Sequence, residues 1–348
     1  MLDYEWLVFL GFCCAELHRS GFQPSFALWL FTHGCALLTV GLNIYHPVRG
    51  WVVGVGGFNG WFTLDRVVLR VQRVFMPIND ARETYVVKPG SEVKLGEIDT
   101  RDKSLFDGGK KDHYGVLENL NEELKGMQNL LYAEGKKKLL VVIQAMDTGG
   151  KDGCVKSVFS RVDPQGIEVT SFKRPSSEEL SHDYLWRVHQ HAPANGMISV
   201  FNRSHYEDII AVKVKGIFPE SVWSKRYRHI VEFERMLADE GTKIVKIFLN
   251  ISKDEQRERL QARLDDPAKH WKFNPGDLDD RARWDDFMAE YENLIGKTST
   301  DDAPWYIIPA DRKWYRNLVV SQIIIDELKS LDMHYPETDW DAADMKVL

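Results

Sequence analysis

The chain has 348 residues, 44% of them hydrophobic and 11% aromatic, and a formal net charge of −7. That is enough length for one large or two medium domains with substantial cores, and the net negative charge excludes a surface built for nucleic acid. Any site for a phosphate polymer must come from local clusters of cations.

Taken in chain order, the first 75 residues differ from the rest. No lysine precedes Lys88, and three of the four cysteines (Cys13, Cys14, Cys35) fall there, with Trp6, Trp29, Trp51 and Trp61. The apolar stretches Trp6–Leu17 and Phe26–Tyr45 read as a membrane-associating hairpin, a private N-terminal domain, or an upstream stretch ahead of a true start at Met76. The composition break favours the last. The Gly54-Val55-Gly56-Gly57 run lacks dinucleotide spacing. No cysteine pair has redox or zinc spacing. Asn202 and Asn250 match the N-x-S glycosylation pattern but end apolar runs that look like core strands, so both are chance matches.

Residues 76–113 are polar and punctuated by Gly and Pro, the pattern of an extended arm. Residues 114–134 carry apolar side chains at helical period. Strands and helices then alternate. Strands are predicted at Leu139–Gln144, Ile167–Phe172, Met197–Phe201, Lys243–Ile251 and Trp305–Pro309. Helices are predicted at Val155–Ser160, Glu178–His191, Ser221–Asp239, Glu255–Leu264 and Tyr315–Leu331. Short apolar strands separated by helices mean a parallel sheet covered on both faces, with ligands at the carboxyl ends of the strands. Residues 265–304 interrupt the alternation with basic and aromatic side chains, including Lys269, Trp271 and Lys272, and read as a helical lid. Residues 332–348 are a tail.

The decisive stretch is LLVVIQAMDTGGKDG, residues 139–153. An apolar strand breaks into a Gly-rich turn that ends in Gly150-Lys151 and opens a helix. In that geometry backbone amides and a helix N-terminus face an anion and a lysine reaches over it. The loop comprises Ala145, Met146, Asp147, Thr148, Gly149, Gly150, Lys151, Asp152 and Gly153. Relative to G-x-x-x-x-G-K-[ST], Ala145 replaces the first glycine and Asp152 the magnesium-binding hydroxyl. A carboxylate inside such a loop is repelled by phosphate unless a cation intervenes, so Asp147 reads as the metal ligand. Reduced thiols together with a phosphotransfer site of this kind suggest the cytoplasm. His182, His189 and His191 have near-helical spacing but no partner pattern for a metal; packing or capping is their expected role.

The loop, together with F-K-R-P (172–175), H-D-Y-L-W-R (182–187), F-N-R-S-H-Y-E-D (201–208), H-W-K-F (270–273), R-W-D-D (283–286) and A-P-W-Y-I-I-P-A-D-R-K-W-Y-R-N (303–317), resembles the family-2 polyphosphate kinases over about residues 80–331. The resemblance implies a P-loop kinase-like α/β fold over 114–331. It also implies transfer of phosphate between inorganic polyphosphate and adenine or guanine nucleotides, Mg²⁺ (with Mn²⁺ as a substitute), and a homodimer or homotetramer. It assigns catalysis to Asp147, Lys151 and Arg203 and nucleotide contacts to Arg174, Asn202 and Glu207. Many relatives carry Asp where this chain has Asn202. The N-R-S-H-Y-E-D form is similar to the subgroup that accepts both AMP and ADP, and Glu207 marks that difference. A polymeric donor would need a cationic groove, expected at Lys156, Arg263, Lys269 and Lys272. The competing readings are an ATP-dependent nucleoside monophosphate kinase, which normally keeps the residues this loop lacks, and a non-catalytic nucleotide-binding regulator, which needs no loop carboxylate.

Overall fold

The computed structural model describes residues 78–341, positions 345 and 347, and six short strands within the first 71 residues. The chain forms two compact units, Met1–Met76 and Pro77–Leu348. In the first, β1 (Ala27–Leu30) and β2 (Leu38–Gly41) pair antiparallel. A four-stranded sheet runs in the order β3 (Ile44–Tyr45), β4 (Trp51–Val53), β6 (Val67–Val71), β5 (Gly60–Leu64). The Phe26–Tyr45 stretch therefore contains strands, and no helix among the described residues is long and apolar enough to cross a membrane. Trp6–Leu17, Gly54–Gly57 and Met76 lie outside the described residues.

The second unit is built on a six-stranded sheet. Its central strand is β8 (Lys138–Gln144). On one side lie β10 (Ile198–Asn202) and then β9 (Ile167–Ser171). On the other lie β11 (Thr242–Asn250) and β12 (Trp305–Pro309), with β7 (Val86–Val87) antiparallel at that edge. The other five strands are parallel. The buried positions of β8, β10 and β12 are nearly continuous, as expected for strands covered on both faces. Chain progression reverses around β8, so the carboxyl end of β8 is the switch point where a ligand crevice opens.

The covering helices include α2 (His113–Glu134), α3 (Lys151–Val158), α6 (Glu207–Val214), α8 (Arg226–Asp239), α9 (Lys253–Leu264), α11 (Trp284–Thr298) and α12 (Lys313–Lys329). Shorter ones are α1 (Ala81–Tyr85), α4 (Ser177–Ser181), α5 (Trp186–His189), α7 (Glu220–Trp223) and α10 (Gly276–Ala282). Four departures from the predicted elements have local causes. The Glu178–His191 helix is two short ones, because Asp183 Oδ1 accepts from the amides of Leu185 and Trp186 at 3.0 and 3.1 Å and offers the backbone a turn instead. The α6 segment went unpredicted, since its β-branched Ile and Val residues disfavour helix; packing against α11 stabilises it. The arm is not wholly extended. It forms α1 and β7, and it crosses the strand ends through Thr100 Oγ1 to Asp311 Oδ2 (2.8 Å) and Asn250 Nδ2 to the Leu95 carbonyl (3.3 Å). The excursion expected as a lid is shorter than 265–304. Trp284, Phe287, Tyr291, Leu294 and Ile295 of α11 are buried, so that helix belongs to the core and the excursion ends near residue 283.

Behind the sheet lies a buried polar cluster that the apolar pattern conceals. Lys246 Nζ donates to Glu234 Oε2 (2.6 Å), the Tyr206 hydroxyl (2.9 Å) and the Thr298 carbonyl (2.6 Å). The charge is buried but fully bonded, the condition under which such a pair is tolerated.

Candidate active site

The site begins where β8 ends. Thr148 (φ 65°) and Gly150 (φ 95°) adopt left-handed backbone, so the chain reverses sharply before α3. A Cβ on Gly149 would lie 2.5 Å from Ala145 Cβ and 2.7 Å from the Met146 carbonyl oxygen, so the first glycine of the pair admits no side chain. Helix α3 starts at Lys151, four residues before the predicted start; the glycines that make the turn hide the onset of the helix.

The loop carbonyls are occupied from 145 to 150. Ala145 O accepts from Lys151 Nζ (2.9 Å) and the Tyr291 hydroxyl (3.1 Å), and Met146 O accepts from Lys151 Nζ (3.3 Å). Asp147 O accepts from Gln256 Nε2 (2.8 Å), Gly149 O from Arg259 (2.8 Å) and Gly150 O from the Cys154 amide (3.0 Å); Arg259 also reaches Thr148 O at 3.4 Å. The amides of Gly150, Lys151, Asp152 and Gly153, by contrast, donate to no acceptor among the described residues. Four open N–H groups at a helix N-terminus make a cradle for an anion.

Four side chains converge on this cradle. Arg203, in the turn after β10 and itself left-handed at φ 62°, forms an ion pair with Asp147. Lys151 is only 8% exposed. Burial, and then Arg203, lower its pKa, against the opposing pull of Asp147 and Glu207. Burial works against the Asp147 charge, but Lys151 and then Arg203 outweigh it and hold the carboxyl below its usual range. Glu207, first residue of α6, is half-buried. Burial raises its pKa, and the charges of Arg203 and Lys151 only partly offset that. With the Gln144 amide oriented to satisfy both neighbours, it donates to Glu207 Oε1 at 3.0 Å. The structure thus brings Asp147, Lys151, Arg203 and Glu207 together.

The other predicted residues scatter. Asn202 is buried at the end of β10, where its amide donates to Asp152 Oδ1 at 2.5 Å and so braces the loop. Asn250 is likewise buried, so neither N-x-S match is a surface loop. Arg174 and Lys156 are exposed. In the lid, Arg263 is engaged with Asp277 Oδ2 (3.3 Å) and the Lys272 carbonyl (3.0 Å), and Lys269 pairs with Asp266 at 2.7 Å. Lys272 lies over the Trp271 ring at 4.9 Å, and Trp271 is 79% exposed. Of the expected groove cations, then, Arg263 and Lys269 carry acidic partners of their own. The three histidines pack as expected: His182 stacks on Trp186, His189 meets the Phe233 ring edge-on, and His191 bonds Glu168 at 2.7 Å.

Sequence reasoning missed the lid carboxylates. Asp280 of α10 pairs with Lys215 at 2.8 Å and contributes to lowering the Asp147 pKa, and Asp277 is buried, its pKa raised by burial and then by the charge of Asp147. Both were visible only as part of a charged run. It also missed Gln256, Arg259 and Arg316, which meet the loop from helices more than a hundred residues downstream.

The profile described as Polyphosphate kinase 2 (PPK2) matches residues 108–336. The chain belongs to the polyphosphate kinase 2 family. It is a phosphotransferase built on a parallel sheet covered by helices on both faces. This kinase is 55% identical over 255 residues to the AMP/ADP-polyphosphate phosphotransferase of Meiothermus ruber, a match covering 73% of this chain and 96% of the relative. It is 45% identical over 267 residues to the ADP-polyphosphate phosphotransferase of Rhodopseudomonas palustris, covering 73% and 92%. The crystal structure of polyphosphate kinase 2 from Arthrobacter aurescens TC1 superposes with a TM-score of 0.74 at 44% identity, covering 77% of this kinase and 95% of that chain.

Proposed function

We propose that this kinase transfers the terminal phosphate of inorganic polyphosphate reversibly to AMP and ADP, with Mg²⁺ held at Asp147. The observation that carries the reading is the convergence of Asp147, Lys151, Arg203 and Glu207 on four open loop amides. Phosphoryl transfer needs alignment and charge neutralisation more than covalent help from the protein. The amides and Lys151 would hold the transferred group, and Arg203 would stabilise charge spreading over its oxygens. The relative from Meiothermus ruber, named for both acceptors, supports AMP alongside ADP.

The residues fit a magnesium ion. Asp147 stays ionised, and Asp277, buried with a raised pKa, faces it. A cation between two like charges removes that conflict, and Mg²⁺ ordinarily takes one or two carboxylates plus phosphate oxygens and water. Bound there, the ion would neutralise phosphate charge during transfer; Mn²⁺ has the ligand preferences to replace it. A nucleotide acceptor pool of this kind is cytoplasmic, which is where we place the reaction.

The test is to incubate the purified protein with AMP or ADP, Mg²⁺ and either polyphosphate or ATP, and to resolve the nucleotides. ADP and ATP formed from polyphosphate support the reading. Phosphorylation of AMP from ATP alone, with polyphosphate inert, refutes it.

A further inference from the structure

Two arginines reach the underside of the phosphate loop, and no step above uses them. Arg259, in α9, donates from Nη1 to the Gly149 carbonyl (2.8 Å) and from Nη2 to the Ala310 carbonyl beyond β12 (2.7 Å), while Nε bonds Glu255 at 2.7 Å. Arg316, in α12, is 2% exposed. Its Nη1 donates to the Gly150 carbonyl at 3.2 Å, and Nε and Nη2 both meet Asn317 Oδ1, at 3.0 and 2.7 Å. Among the described residues no carboxylate pairs with it. A buried guanidinium with neutral partners only is costly, and the neighbouring Arg259 adds repulsion. Packing alone gives no reason to keep a charge there; an apolar side chain would fill the space at lower cost.

The peptide geometry supplies a reason. In a trans peptide the carbonyl of one residue and the amide of the next point in opposite directions. A donor bound to the Gly149 carbonyl therefore turns the Gly150 amide away from α9, and a donor bound to the Gly150 carbonyl turns the Lys151 amide away from α12. Those are two of the four open amides. Gly150 itself records how closely the guanidiniums approach: a Cβ there would lie 2.5 Å from Arg316 Nη1 and 3.2 Å from Arg259 Nη1. We propose that Arg259 and Arg316 are positioning residues that clamp the Gly149 and Gly150 carbonyls from beneath, aim the Gly150 and Lys151 amides at the bound phosphate, and add two fixed positive charges to its cradle. The charge without a carboxylate partner in the apo chain is then balanced by the anion the loop receives.

The inference rests on the phosphate-loop assignment, and tripolyphosphate alone serves as the probe. Arg316→Met, Arg316→Lys and Arg259→Lys are compared with the wild type by thermal unfolding, by calorimetric titration with tripolyphosphate well below each melting temperature, and by steady-state kinetics. The clamp predicts that folded Arg316→Met binds tripolyphosphate at least roughly tenfold more weakly, the scale of a lost charged hydrogen bond. It also predicts that kcat falls, that Arg316→Lys, which keeps charge but loses the fork, recovers only part of the loss, and that Arg259→Lys binds tripolyphosphate more weakly than the wild type. A merely structural role predicts a lower melting temperature with tripolyphosphate affinity and kcat within about twofold of the wild type in every variant that folds, and that result overturns the proposal. If Arg316→Met does not fold, the Lys variants decide by the same criterion. Failure of the wild type to bind tripolyphosphate overturns the phosphate-loop assignment and the clamp with it, whereas wild-type binding with unaffected variants removes the clamp alone.

Discussion

The Gly-rich loop after β8 and the excursion that follows α9 both carry lysines, yet they hold them in opposite ways. In the loop, Lys151 is buried, and side chains from α9, α11 and α12 bond the backbone around it. In the lid, Lys269 and Lys272 are exposed and pair within the excursion itself, with Asp266 and the Trp271 ring. A charge in a dry, multiply bonded setting is little screened and cannot be replaced by its neighbours. An exposed charge is screened by salt within about 8 to 10 Å, and its neighbours can substitute for it. The difference separates a preorganised, dry centre from a solvated, locally paired surface.

The largest effects should come from the loop. Lys151→Ala is expected to lower kcat by roughly two orders of magnitude or more, the scale of losing a preorganised charge contact, and the loss should persist at high ionic strength. Turnover near wild type at any salt concentration would end the contrast at once. Asp147→Asn should cost roughly as much and should also raise the Mg²⁺ concentration needed for half-maximal rate; an unchanged Mg²⁺ titration would remove Asp147 as the metal ligand.

Glu207 sharpens the comparison from the acceptor side. Its folded pKa is raised by burial, so the native state holds its proton more tightly than the unfolded chain does. Its contribution to stability is therefore fully present below the unfolded pKa and is lost as pH rises through the folded pKa. Glu207→Gln should raise the melting temperature at pH 7 and weaken its pH dependence in the acid range, while kcat/KM for AMP falls more than that for ADP. An unchanged AMP-to-ADP ratio would leave Glu207 as a helix-start carboxylate interacting with the α6 dipole.

The smallest effects belong to the lid. Lys269→Ala and Lys272→Ala should each raise KM for polyphosphate by about two- to fivefold at low salt, in keeping with exposed pairs, and by less as salt rises. A loss matching that of Lys151→Ala would mean that the lid closes into a site as dry as the loop.

The architecture of the loop was legible from residues 139–153 alone, because a strand, a Gly-rich turn and a lysine at a helix start are adjacent in sequence. The order of strands and helices was legible for the same reason, since period and length are local properties. Asp147, Lys151, Arg203 and Glu207 could be named from the motifs that hold them. Their mutual contact could not, since Arg203 meets Asp147 across 56 residues. The expected groove fared differently: Arg263 and Lys269 looked like free cations until folding showed Asp277 and Asp266 beside them.

By itself, then, the sequence determined the parallel-sheet class, the phosphate loop and the family, all of which rest on neighbours along the chain. Tertiary structure alone decided which carbonyls are tied, which carboxylates face Asp147 and which charges are dry. Those depend on α9, α10, α11 and α12 returning to the end of β8, and a residue's electrostatic strength is set by what surrounds it in space, which no local pattern encodes.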